Sequence, residues 1–178
     1  MKLGDDFYKI DAVSLAPKLL GKLLCRNTNG KTIKVRISET EAYFGENDTA
    51  CHAHKGRTKR TEVMFYKGGF TYVYLCYGIH YMLNIVSGTQ DHPEAVLIRA
   101  TLPVKDYEFL KIKDLNGPGK LTKALNIDKN LNKENLLTSS KIWLEDDGYE
   151  PLYVKDKRIG ISYASEQDQN KLWRFILK

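Results

Sequence analysis

The chain lacks any run of about 18 consecutive apolar residues, so no membrane-spanning helix is expected. No secretory leader is expected either. The N-terminal "MKLGDDFYKIDAV" carries acidic residues where a leader would carry its apolar core, and an intracellular protein is expected, cytoplasmic and nucleoid-associated if bacterial. Cysteine is scarce: Cys25, Cys51 and Cys76 are odd in number and follow no framework spacing, which excludes a disulfide scaffold and favours reduced thiols. Repeats and low-complexity tracts are missing. So are a Walker-type phosphate loop and the H-x-E and P-C-x-x-C signatures of zinc base deaminases. His52 and His54 lie beside Cys51, but His80 and His92 fall in another run at no zinc spacing, so neither a metal nor another cofactor is expected.

What remains is a chain of 178 residues, enough for a single compact domain over 1–178. Its formal charge of +6 leans weakly toward an anionic partner. The distribution of charge says more than the sum. "HKGRTKR" gathers Lys55, Arg57, Lys59 and Arg60, a composition that suits a phosphate-contacting loop, although a solvated charged loop explains the run equally well.

The element order reads as α+β with a largely antiparallel sheet. "SLAPKLL" predicts a short helix capped by Ser14, with Pro17 in its first turn. Asn29-Gly30 predicts a hairpin between "KLLCR" and "KTIKVRISETEAY". Residues 44–62 form a long polar excursion of the kind that is usually functional. "GFTYVYLCYGIHYMLNIVSG" predicts a second hairpin about Gly78, and "EAVLIRATLP" a strand stopped by Pro103. "VKDYEFLKIKDL" is amphipathic and predicts a helix, "NGPGKLTKAL" a turn entering a helix, and "NKENLL" a third. "KIWLE", "RIGISYA" and "WRFIL" predict short closing strands.

Chemistry concentrates at the end of the second strand. Period-two alternation carries the face of Ile33, Val35 and Ile37 into Glu39, Glu41 and Tyr43. Carboxylates on a core face are costly unless paired, hydrogen-bonded or in a working cleft. Three readings stay open here: an ion pair with a residue such as Arg99, a β-bulge that turns the face, or a general base with a raised pKa. Tyr77, beside Gly78 at the hairpin tip and facing away from Tyr74, is either a wedge or half of a packing pair. "NGPGK" could offer N–H groups and Lys120 to a phosphate.

In order, "ETEAYFGENDTACHAHKGRT", "MFYKGGFTYVYLCYGIHYMLNIVS", "AVLIRATLP" and "NGPGKLTKALNI" resemble the alkyladenine type of 3-methyladenine DNA glycosylase, from about Leu19 to Phe175. The resemblance implies one α+β domain with a curved sheet, short helices and a protruding DNA-inserting hairpin. It implies a monofunctional enzyme that flips alkylated purines (3-methyladenine and 7-methylguanine, with hypoxanthine a further candidate) from duplex DNA and hydrolyses the glycosidic bond. Glu41 corresponds to the general base, and Arg99 and a backbone carbonyl at Ile159 to the groups that hold the water. Tyr43, His52 and Tyr74 match the walls around the purine, Asn84 the residue at its minor-groove edge, and Tyr77 the side chain that fills the gap in the duplex. Lys55, Arg57, Arg60 and Lys120 fall to the DNA backbone. The expected partner is damaged double-stranded DNA, and the expected state a monomer. The chain departs from the family pattern at Thr61, commonly asparagine, and at Cys51 within "ACHAH". Two other classes compete: a non-catalytic module for damaged DNA, and a sugar glycosidase using Glu39 and Glu41 as an acid/base pair.

Overall fold

A computed structural model describes residues 1–178, the side chain of Phe109 excepted. Its strands are β1 (Leu23–Thr28), β2 (Lys31–Phe44), β3 (Thr71–Cys76), β4 (His80–Val86), β5 (Glu94–Lys105), β6 (Ile142–Glu145), β7 (Tyr153–Asp156) and β8 (Arg174–Leu177). Its helices are α1 (Asp5–Tyr8), α2 (Ala12–Leu19), α3 (Pro118–Ala124) and α4 (Glu166–Gln169). The strands form one curled sheet in the order β3-β4-β5-β2-β1-β6, with β8 joined to β2 and to β7. All pairings between named strands are antiparallel. The expected α+β fold is the one observed.

One face of the sheet makes the main core. Ile33, Val35, Leu83, Ile85, Val96 and Ile98 pack there against Leu15 and Leu19 of α2 and Leu121 of α3. Each such aliphatic side chain contributes about 1.5–3 kcal/mol on burial. The hairpin at Asn29-Gly30 forms as its residues require, with φ of 51° and 75° in a two-residue turn.

Several predicted elements differ. The helix predicted at 14–20 starts at Ala12, because Asp11 takes the N-cap and accepts from Ser14 N–H at 2.9 Å; Pro17 therefore falls inside the helix. β5 passes through Pro103 to Lys105, since Pro103 sits beside a register shift on an exposed stretch where its missing N–H is tolerated. The amphipathic run after it is not an α-helix. Asp106 adopts φ 55°, a 3₁₀ turn spans Tyr107–Phe109, and Leu110 and Leu115 bury themselves as a chain laid over the core. "NKENLL" is not helical either, because its backbone bonds to the free edge of β3. Lys133 N–H donates to Thr71 O at 2.9 Å, and Glu134 O accepts from Thr71 N–H at 3.0 Å. "RIGISYA" is a loop rather than a strand, while β7 and α4 carry no clear signal in the sequence.

Gly68 marks the tightest seat. A Cβ at this position would collide with the backbone carbonyl of Tyr8, which also accepts from Gly88 N–H at 2.9 Å. Gly68→Ala is therefore expected to destabilise the fold by about 1–3 kcal/mol, seen as a lower midpoint in chemical denaturation.

Candidate active site

The site begins with a slip in strand parity. Ile37 pairs with Thr101, Glu39 with Ala100 and Thr40 with Ile98, so Ser38 and then Arg99 are passed over. These bulges transfer the core face from odd to even positions. Thr40 is fully buried and donates its hydroxyl to Ala16 O at 2.9 Å, and Ala42 joins the main core. Glu39, Glu41 and Tyr43 consequently leave the face of Ile33, Val35 and Ile37. The expected continuity of that face is wrong: a β-bulge turns it, and the contact with Arg99 and the raised Glu41 pKa are found together with the bulge. At the same point β2 exchanges its neighbour, from β1 over residues 31–36 to β8 over 39–41.

The opposite, concave face holds a cavity of about 550 Å³, within the usual range of about 300–1,000 Å³ for small-molecule sites. Alternate residues of four adjacent strands line it: Tyr43 from β2, Tyr72, Tyr74 and Cys76 from β3, Met82 and Asn84 from β4, and Leu97 and Arg99 from β5. The excursion after β2 adds His52 and Arg60, and the loop before α4 adds Ile159, Gly160, Ile161 and Tyr163.

Glu41 has no exposed surface and lies just beneath this cavity. Its three partners all reach the cavity wall. Oε2 accepts from the Tyr43 hydroxyl at 2.8 Å, Oε1 accepts from Ile159 N–H at 2.7 Å, and Arg99 Nη1 stands 3.5 Å from Oε1. Burial raises the Glu41 pKa above the usual carboxylate range, against the Arg99 cation and the two hydrogen bonds, which act to lower it. Glu39 is held differently. It pairs with Arg174 at 2.8 Å and more loosely with Arg99 at 3.5 Å, which ties it to the tail strand β8.

The aromatic wall is built around a neutral imidazole. His52 Nδ1 lies 3.0 Å from the Tyr72 hydroxyl, and its ring stands edge-on to Tyr74 with centroids 4.6 Å apart. Burial, helped by the Arg60 charge, lowers its pKa to about 4. Asn84 is buried and donates Nδ2–H to Tyr72 O at 3.1 Å, which fixes its carboxamide against β3. Arg60 stacks on Tyr74, its guanidinium 5.1 Å from the ring, and so forms part of the wall.

Tyr77 lies at the hairpin tip, 88% exposed and with φ 51°. Gly78 follows at φ 70°, and Ile79 N–H donates to Cys76 O at 3.2 Å. An aromatic residue in the left-handed region is a strained choice, of a kind that clusters at functional sites. Leu75 and Ile79 beside it are also exposed.

The remaining basic residues are spread out. Lys55 is exposed at the end of a 3₁₀ turn, and Arg57 pairs with Asp91 and packs on Phe65. Lys120, on α3, pairs with Asp114 at 2.6 Å. Thr61 directs its hydroxyl to its own loop, accepting from Thr58 N–H at 2.9 Å and donating to Gly56 O at 3.1 Å. Cys51 packs in a small cluster beneath the excursion. Among the described residues no group of three or more His, Cys, Asp or Glu could hold a metal. Sequence reasoning missed Tyr72, Tyr163 and a buried pair, Asp48 and Arg158. Only Tyr72 carried a signal, through its alternation with Tyr74.

A family model described as methylpurine-DNA glycosylase matches residues 6–178. Similar proteins carry the name "Putative 3-methyladenine DNA glycosylase". One from Natranaerobius thermophilus is 46% identical, over 100% of this chain and 96% of the relative. One from Borrelia garinii subsp. bavariensis is 48% identical over 97% and 94%, and one from Psychrobacter cryohalolentis is 50% identical over 85% and 81%.

The wall geometry makes a direct prediction about charge. His52 is expected to stay neutral until the pH falls to about 4. Its ring C–H resonances, followed by NMR, should show a midpoint near that value rather than in the ordinary histidine range.

Proposed function

The chain belongs to the methylpurine-DNA glycosylase family, and on that premise we propose that it is a monofunctional 3-methyladenine DNA glycosylase that excises alkylated purines from duplex DNA. The observation that carries the mechanism is Glu41, a carboxylate of raised pKa buried against Arg99 directly beneath an aromatic cavity whose wall its partners form.

A purine inside a duplex is out of reach until it is turned from the stack, which costs a few kcal/mol. In this reading the exposed, pre-turned Tyr77 enters the gap and offsets part of that cost, while Lys55, Arg57, Arg60 and Lys120 hold the bent backbone. The everted base lies against Tyr43, His52 and Tyr74. N3- or N7-methylation makes it cationic, and electron-rich rings beside an uncharged imidazole suit a cation. Asn84, immobilised on β3, stands at the minor-groove edge, where it would obstruct guanine's exocyclic amine.

Positive charge on the base already weakens the glycosidic bond, because the base departs neutral. The protein then has to supply an activated water. An ionised carboxylate offers about four acceptor positions, and Tyr43 and Ile159 occupy two of those on Glu41. A water on a remaining position, held also by Arg99 and the Ile159 carbonyl, gives its proton to Glu41 as its oxygen attacks the anomeric carbon. Among the described residues lining the cavity there is no lysine to form a Schiff base. The product in this reading is an abasic site with the strand uncut, an intermediate for base excision repair.

Glu41→Gln keeps shape and removes the base. It is expected to lose about 10²–10⁴-fold in base release while still binding lesion duplexes. Wild-type protein that is folded yet releases no purine from 3-methyladenine, 7-methylguanine or hypoxanthine duplexes would overturn the reading. The pH profile supplies a second check. The deprotonated carboxylate is the active form, so the rate should fall as pH drops through a value above the usual carboxylate range. That acid limb should disappear in Glu41→Gln.

A further inference from the structure

Directly behind the cavity wall lies a buried ion pair that the mechanism does not use. Arg158 and Asp48 have side chains 0% and 1% exposed and meet through two parallel hydrogen bonds, at 2.5 and 2.9 Å. Each also grips the backbone around the site. Arg158 donates to Ala42 O at 3.0 Å and to Asp168 O at 3.2 Å. Asp48 accepts from Phe44 N–H at 3.0 Å and from Ala50 N–H at 3.1 Å. Ala42 lies between Glu41 and Tyr43 in sequence, and Ile159 follows Arg158 directly.

The guanidinium also packs on two rings, 5.0 Å from the centroid of Tyr43 and 5.0 Å from that of Trp173. Arg158 is fully buried and does not line the cavity, whereas Tyr43 does. The cation therefore covers the face of Tyr43 turned away from the cavity. A positive charge there, left alone, would oppose a second positive charge on the other face of the same ring. The bidentate Asp48 carboxylate cancels it.

We propose that Arg158 and Asp48 are specificity-determining positioning residues: together they clamp the Tyr43 wall, and the electroneutrality of the pair allows that wall to accept a cationic purine. The inference rests on the glycosylase reading given above. It assigns lesion preference partly to groups that never touch the base, and it treats the two charges as one unit. A structural ion pair alone would hold the wall without regard to lesion charge. Here the two variants must move lesion preference in opposite directions.

The test is binding to duplexes with a 2′-fluorinated sugar at the lesion, which resists hydrolysis, carrying either 7-methylguanine (cationic) or hypoxanthine (neutral). Asp48→Asn leaves an uncompensated cation and should lower the ratio of cationic to neutral affinity by about two- to thirtyfold, the range of a single cation–ring contact. Arg158→Gln leaves an uncompensated anion and should raise the ratio. The double variant should return it toward the wild-type value. Thermal unfolding identifies which variants are folded, and either single variant suffices, because each carries its own sign. A folded single variant with an unchanged ratio, or two variants shifting it the same way, overturns the inference. Wild-type protein that releases no base from natural alkylated duplexes instead overturns the glycosylase reading, so the two failures are distinguishable.

Discussion

Glu41 keeps a carboxylate out of water while leaving it one layer below a cavity, and the surrounding structure answers to that constraint. Isolated burial of such a group costs several kcal/mol, and the molecule offsets this without neutralising it fully. Two hydrogen bonds come from Tyr43 and Ile159, and a cation stands at 3.5 Å rather than in a tight bidentate pair. A closer arginine would hold the carboxylate at low pKa and make it a poor base. With no cation its pKa would be raised further by burial. The loose contact leaves the pKa raised, which suits the proposed role.

The partners of Glu41 come from distant parts of the chain, which explains the layout of the sheet. β2 is long enough to change neighbours at its bulge, passing from β1 to the C-terminal strand β8. That exchange brings the segment at 158–163 over the end of β2. Ile159 then reaches Glu41, Arg158 reaches Ala42, and Tyr163 reaches Ala50 O at 2.8 Å. The tail strand is fastened to the same region by Arg174 on Glu39. Glu39 is thus occupied in joining strands, an arrangement that disfavours the acid/base pair of a sugar glycosidase. The hairpin β3–β4 contributes to the other side. Its concave face carries Tyr72, Tyr74 and Asn84, and its tip carries Tyr77.

Much of this was legible in the chain. Alternation located β1 to β5, Asn29-Gly30 and Gly78 located both hairpin turns, and the ordered motifs located Glu41, Tyr43, His52, Tyr74, Asn84 and Arg99, all of which converge on or beneath one cavity. The failures share a cause. Residues 104–115 and 132–137 have helix-like patterns, yet their apolar residues are buried by chain that follows the core or the free edge of β3. Local pattern records which residues are buried, not which partner buries them.

The sequence by itself determined the fold class, the hairpins and the ordered motifs that carry the residues of the cavity, because these depend on period-two patterning, turn chemistry and contiguous motifs. Tertiary structure alone decided which face Glu41 occupies, since the bulge at Ser38 reverses parity without any residue type that demands it. It alone joined Arg158 to Asp48 across 110 positions and placed that cation behind Tyr43. Such pairings are chosen by the relief of burying two charges together, an energy that exists only once the chain has brought them into the same dry space.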